Sequence, residues 1–194
     1  MNTSSPSTII PFVLLTVVLL VGCQRQPAPA PSPPPAVEAA EQHNELGIAL
    51  AKEGRHEEAI SEFNQAIELD PNYALAYNNR GIAYRLKGEY DRAIADYSKA
   101  IELDPNYARA YVNRGIAYRF KGEYDQAIAD FNRAIELDPS HANAYYRRGI
   151  TYKALGQKAE AVADLERCIK LSQTPSLTEA AIQEIEALQT QGGI

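Results

Sequence analysis

The sequence predicts an all-α fold, a solenoid of four helical hairpins closed by one further helix, and three observations predict it. Residues 74–107 are written again, almost letter for letter, at 108–141, so that "YNNRGIAYRLKGEYDRAIADYSKAIELDPNYA" returns as "YVNRGIAYRFKGEYDQAIADFNRAIELDPSHA". A fixed period of thirty-four residues marks units that bury their apolar faces only by stacking on one another. Glycine and proline punctuate the same period, at Gly54, Gly88, Gly122 and Gly156 and at Pro71, Pro105 and Pro139. Beyond the last unit the pattern changes to a segment with one apolar and one polar side.

The units run over about 40–73, 74–107, 108–141 and 142–173 within a repeat domain of 38–173. Asp70, Asp104 and Asp138 are expected to cap the next unit's first helix, with proline at its first helical position. Each first helix ends at a glycine, which accepts the left-handed conformation that closes a helix. In the second helix Ile60, Ile94, Ile128 and Val162 begin an apolar stripe, and Ile67, Ile101, Ile135 and Ile169 continue it seven residues on. Gly47, Gly81, Gly115 and Gly149 face Ala59, Ala93, Ala127 and Ala161 in register, so the two helices of a hairpin approach closely. Residues 174–194 form a capping helix and tail. Ser176 and Glu179 have the spacing of a capping box, and Leu177, Ala181, Ile185 and Leu188 make the apolar stripe that shields the last unit.

These residues resemble the tetratricopeptide repeat family. Tyr77, Gly81, Tyr84, Ala93, Tyr97, Ala100 and Pro105 match its pattern in the second unit, and Tyr111, Gly115, Tyr118, Ala127, Phe131, Ala134 and Pro139 in the third. The first unit departs at His43 and Leu50, and the fourth carries Cys168 for the last alanine and lacks the proline. The resemblance implies a right-handed α-solenoid that offers a groove to a partner. It also implies that first helices line the concave surface and second helices the convex one.

Charge follows that division. Residues 73–87, 107–121 and 141–155 carry basic residues and no acid, whereas the second helices carry Asp91, Asp96, Glu102, Asp125, Asp130, Glu136, Glu160, Asp164 and Glu166. A basic, asparagine-rich groove on an acidic body is therefore expected. Asn78, Asn79, Val112, Asn113, Tyr146 and Arg147 occupy the positions that face the groove in relatives, with Arg85, Arg109, Arg119 and Lys153 as further candidates for partner contact. Arg80, Arg114 and Arg148 replace the family's usual leucine, and each has an aspartate sixteen residues later, Asp96, Asp130 and Asp164. They are expected to tie the two helices of a hairpin. Some relatives clamp a C-terminal carboxylate with five side chains, of which Asn113 and Arg147 match two here. A full clamp is not expected, because Asn78, Ile82 and Asn143 stand at the other three places.

The amino terminus carries a separate signal. Ile9–Val21 is an apolar run of thirteen residues, too short for a spanning helix and suited to the core of a secretion signal. It ends in Leu20-Val21-Gly22-Cys23, which resembles the bacterial lipobox and implies a signal peptide over 1–22 and a lipidated Cys23. A secreted protein without lipid and an uncleaved anchor are the alternatives. The Pro/Ala-rich linker of 23–37 would hold the repeats about 30–40 Å from a membrane. Gln24 after the cysteine favours an outer membrane facing the periplasm where the cell has two membranes.

Composition excludes several classes. With Cys23 taken, Cys168 stands alone and no disulfide is available, and a net charge of −6 argues against nucleic acid. His43, His56 and His141 fall at unlike repeat positions with no metal spacing, and no nucleophile context or phosphate loop occurs. Neither enzyme activity nor a cofactor is expected. The expected role is that of an envelope adaptor or scaffold binding a protein or peptide that is acidic or has a free C-terminus. The alternative is an assembly factor that self-associates through its end units.

Overall fold

The computed structural model describes residues 35–190, and the calls on the signal segment, on Cys23 and on residues 24–34 lie outside them. Nine helices and no strand occur among the described residues: α1 (Pro35–Lys52), α2 (His56–Leu69), α3 (Ala74–Leu86), α4 (Tyr90–Leu103), α5 (Ala108–Phe120), α6 (Tyr124–Leu137), α7 (Ala142–Ala154), α8 (Lys158–Leu171) and α9 (Pro175–Thr190). Each hairpin packs on the next, α2 on α3, α4 on α5 and α6 on α7, and α9 lies against α8 and α7. It thus takes the place of a fifth unit's first helix. Helix α1 starts at Pro35, inside the segment expected to be linker.

Within each hairpin a glycine meets the largest fully buried side chain of the second helix. A Cβ at Gly81 would lie 2.7 Å from the Tyr97 ring, and one at Gly115 would lie 2.7 Å from the Phe131 ring. Tyr97, Phe63, Phe131 and Leu165 are fully buried at this one repeat position. The core is therefore a row of similar plugs, one per unit. Cys168 is buried and free, filling the place of Ala66, Ala100 and Ala134.

The turns are built from backbone. Gly54 has φ 79° and Gly88 φ 80°, and the residue after each donates to a carbonyl five positions back, Arg55 to Leu50 at 3.0 Å and Glu89 to Tyr84 at 2.9 Å. This pairing satisfies carbonyls that the end of the helix leaves open.

Between units the aspartate expectation needs correction. Asp70, Asp104 and Asp138 are the C-caps of the preceding helices, in extended conformation, as expected for a residue before proline. The Asp70 carboxylate accepts the Asn72 N–H at 3.0 Å, and the Asp104 carboxylate accepts that of Asn106 at 3.0 Å. An Asp side chain that closes its own turn is not free to cap a later helix. The first helices start three residues further on, after Tyr73, Tyr107 and His141, none of which makes a side-chain cap. Ser176 likewise lies inside α9, whose first residue is Pro175, and Glu179 bonds Gln183 at 3.2 Å instead of closing a capping box.

Candidate functional site

Successive first helices touch one another, α1 with α3, α3 with α5, and α5 with α7, whereas successive second helices do not. In a curved stack the helices that meet lie on the inner side. The concave surface is therefore made by α1, α3, α5, α7 and α9.

A groove of about 470 Å³ opens there, lined by Leu75, Asn78, Asn79, Ile82, Tyr107, Arg109, Val112, Asn113, His141 and Asn143. Beside it, sharing Asn79 and Ile82, is a smaller apolar hollow of about 230 Å³ with Ile48, Ala51, Lys52, Phe63 and Leu86. Sequence reasoning missed this hollow, because its walls come from two units and no single repeat shows it.

The asparagines are not the loose donors expected from sequence. Asn113 donates to Asn78 at 2.9 Å, and Asn79 donates to Asn44 at 2.9 Å, so the pairs join α5 to α3 and α3 to α1. Asn78 is only 3% exposed, and Val112 is equally buried. Both belong to the floor of the groove, and an extended ligand would meet Asn79 and Asn113 first. Buried amides bonded to each other satisfy groups that would otherwise be costly to bury.

Lys153 is also corrected as a groove cation. Its ammonium pairs with Glu184 of α9 at 2.6 Å, both side chains being part-buried. The capping helix supplies that acid. Lys153 therefore holds the cap.

Three other cations behave differently. Arg85, Arg119 and Arg147 have no carboxylate within ion-pair distance among the described residues, and neither does exposed Arg109. The Nε of Arg85 and that of Arg119 are buried without a hydrogen-bond acceptor. Arg147 reaches only Asn143, at 3.3 Å, and lies over the Tyr146 ring at 5.5 Å. Burial lowers its pKa first, Tyr146 opposes, and the positive charges of Arg119 and Arg85 lower it further. Like charges gathered without a counter-ion form a field that favours an anion.

On the opposite side of each first helix the other arginines are fully engaged. Arg80, Arg114 and Arg148 each bond both carboxylate oxygens of Asp96, Asp130 and Asp164, at 2.7–2.8 Å. A third bond runs to the previous unit's second helix, from Arg80 to Asn64 at 2.6 Å, from Arg114 to Ser98 at 3.0 Å and from Arg148 to Asn132 at 2.6 Å. Each guanidinium thus joins three helices. The third leg was legible, since Asn64, Ser98 and Asn132 share one repeat position, but the notion of a tie within one hairpin hid it. Among the described residues no hairpin precedes the first unit; there Leu46 is 49% exposed, and His43 meets Glu62 at 2.7 Å where later units have tyrosine and aspartate. Burial pushes the Asp96 and Asp130 carboxyls upward, only partly offset by the facing guanidinium.

Among the described residues no three His, Cys, Asp or Glu side chains gather to hold a metal ion, and no helix is long and apolar enough to cross a membrane. The surface offers hydrogen bonds, charge and apolar contact.

Comparison with known proteins gives the same architecture. Models described as tetratricopeptide repeat match residues 74–107 and 108–141 and residues 131–163, and one described as TPR repeat matches 47–84. A crystal structure of MamA is 30% identical, with a TM-score of 0.63 over 68% of this chain and 77% of that one. The Arabidopsis OM64 TPR domain is 30% identical, with a TM-score of 0.60 over 61% of this chain and 98% of that one. The first TPR of Spaghetti (RPAP3), bound to the HSP90 peptide SRMEEVD, is 28% identical, with a TM-score of 0.60 over 62% of this chain and 95% of that one. No curated protein sequence matches the chain significantly.

Proposed function

Because the chain belongs to the tetratricopeptide repeat family, whose members are generally protein-interaction adaptors, we propose that it is a lipid-anchored adaptor of a bacterial cell envelope. Its concave groove takes an extended segment of a partner protein that carries acidic residues or a free C-terminus. The observation that carries this reading is the set of arginines Arg85, Arg119 and Arg147, unpaired beside a groove whose polar rim is Asn79, Asn113 and Arg109. An extended segment needs one donor and one acceptor per residue, which the two amides supply. The neighbouring apolar hollow accepts an aliphatic side chain.

The test is crosslinking and affinity purification from native membranes, run with three forms of the protein. The wild type retains a partner. The Arg85→Glu/Arg119→Glu variant loses it by tenfold or more, and rising salt weakens wild-type capture as the screening length falls toward about 8 Å. The convex variant Asp125→Lys/Glu136→Lys retains it. The opposite pattern, loss on the convex variant alone, would sink the groove reading. It would also favour the second reading, self-association, for which the exposed Leu46 at the open end of the first hairpin speaks.

The anchor is tested separately. Leu20-Val21-Gly22-Cys23 supports lipidation at Cys23, and two or three acyl chains hold a protein stably at a membrane where one is marginal. Cys23→Ser is expected to abolish incorporation of labelled fatty acid and release the protein on alkaline wash. Equal membrane partition of variant and wild type would show that the lipid is not the anchor.

A further inference from the structure

The array breaks its own pattern at the C-terminal end of α1. Ala51 stands where the later units have Arg85, Arg119 and Lys153, and Lys52 stands where they have Leu86, Phe120 and Ala154. In the second unit the long side chain fills its place, since the Nε of Arg85 is buried and its guanidinium faces the Tyr97 hydroxyl. Ala51 lacks those atoms, and the hollow of about 230 Å³ opens beside Phe63, the counterpart of Tyr97. Ile48, Ile82 and half-exposed Leu86 complete its apolar wall. Lys52 lines the same hollow and is exposed. Among the described residues no carboxylate lies within ion-pair distance of it, the next acids in sequence, Glu53 and Glu57, being paired with Arg55 and Lys87.

We propose that this hollow is a specificity socket for one bulky apolar side chain of the partner, and that Lys52 selects an acidic residue two positions from it. The proposal rests on the concave face taking an extended segment, and adds the residue pair that the segment must carry. The hollow has room for one leucine, methionine or phenylalanine side chain. It opens toward the main groove through Asn79 and Ile82, which line both, so the chain that carries the side chain continues across α3 toward α5. In an extended chain, residues two apart point to the same side and lie about 7 Å from each other. Lys52 belongs to α1, the wall away from the main groove, and its flexible four-carbon stem spans that step. The acid therefore lies on the side of the apolar residue that leaves the groove. Burial of the apolar side chain supplies the hold, and the exposed charge supplies selection. Neither Ala51 nor Lys52 has a like residue at its position in the later units, so the pair fixes a single register for the segment.

The test is selection of a random decapeptide library, displayed on phage, against the intact protein, followed by fluorescence polarisation with the most enriched peptide. The wild type is expected to enrich leucine, methionine or phenylalanine with aspartate or glutamate two positions away. Ala51→Arg restores the side chain that the second and third units carry and fills the hollow. It is expected to melt as the wild type does and to bind the peptide about tenfold more weakly. Alanine in place of the peptide's apolar residue costs the wild type the same factor and costs Ala51→Arg nothing further. Lys52→Glu, at an exposed position, is expected to turn the preference from acid to lysine or arginine in a second selection. Equal affinity of wild type and Ala51→Arg, or enriched peptides without a bulky apolar residue, would overturn the socket. Acidic peptides that Arg85→Glu/Arg119→Glu no longer binds would in that case leave the groove reading standing. Peptides that carry the apolar and acidic pair yet ignore Arg85→Glu/Arg119→Glu would sustain the socket and sink the arginine-lined groove. An acid preference unchanged in Lys52→Glu would overturn the role of Lys52, and failure to enrich any peptide would overturn both readings.

Discussion

Arg114→Leu is expected to destabilise the array by about 3 kcal/mol, although it restores the residue usual in the family. The guanidinium bonds both oxygens of Asp130 and the Ser98 hydroxyl, and the Asp130 side chain is 7% exposed. Removing the cation leaves a buried carboxylate whose charge nothing compensates. Arg114→Leu with Asp130→Ala should recover most of the loss, because an apolar replacement of a whole buried pair is often neutral or better. The upward push of burial on Asp130 says the same, since the guanidinium does not fully offset desolvation. Urea unfolding of the single and double variants measures the coupling. If the double variant is no more stable than the single, the two side chains do not act together.

The pH dependence of that loss has a definite sign. In Arg114→Leu the folded Asp130 carboxyl lies above its unfolded value, with burial no longer opposed by the cation. Stability from such a group is fully present below the unfolded pKa of about 3.9 and is lost as pH rises through the folded pKa. The variant should therefore sit closest to wild type near pH 4 and fall furthest below it at neutral pH. A deficit that stays constant across this range would mean that lost packing, not an unpaired charge, is its cause.

Phe131→Ala should cost about 3–5 kcal/mol. The ring is fully buried against Gly115 and packs with Val112, Ile116, Ala127 and Ala134, and the nearest wall is backbone that cannot fill the space. Because the third unit lies between two others, each of which contacts only its neighbours, its loss also divides the array. Urea unfolding followed by circular dichroism should then broaden or split into two steps. A single sharp transition within 1 kcal/mol of wild type would show that the plug is not what couples the units.

The repeat period alone determined the hairpins, their order and the closing glycines, because these features are local or recur in identical register. It also revealed the pairing of Arg80, Arg114 and Arg148 with aspartates sixteen residues on, a spacing that joins two helices of one hairpin. What it misread depends on neighbours beyond the hairpin. Asp70, Asp104 and Asp138 look like caps of the helix that follows, but proline forces them to end the helix before it, and their carboxylates close the turn. Lys153 looks like a free cation until α9 brings Glu184 to it, and Asn78 looks like a peptide ligand until α3 and α5 bring it against Asn113 and leave it in the floor of the groove. Arg85, Arg119 and Arg147 are the reverse case. Their sequence neighbourhoods hold acids, Glu89 and Glu123 within four residues of the first two. Only the stacking of α3, α5 and α7 decides that three charges share one surface while those acids pair with Lys87 and Lys121. Helical periodicity fixes which side of its own helix a residue occupies. What lies opposite that side is set by the packing of units, which brings together residues thirty-four or more positions apart.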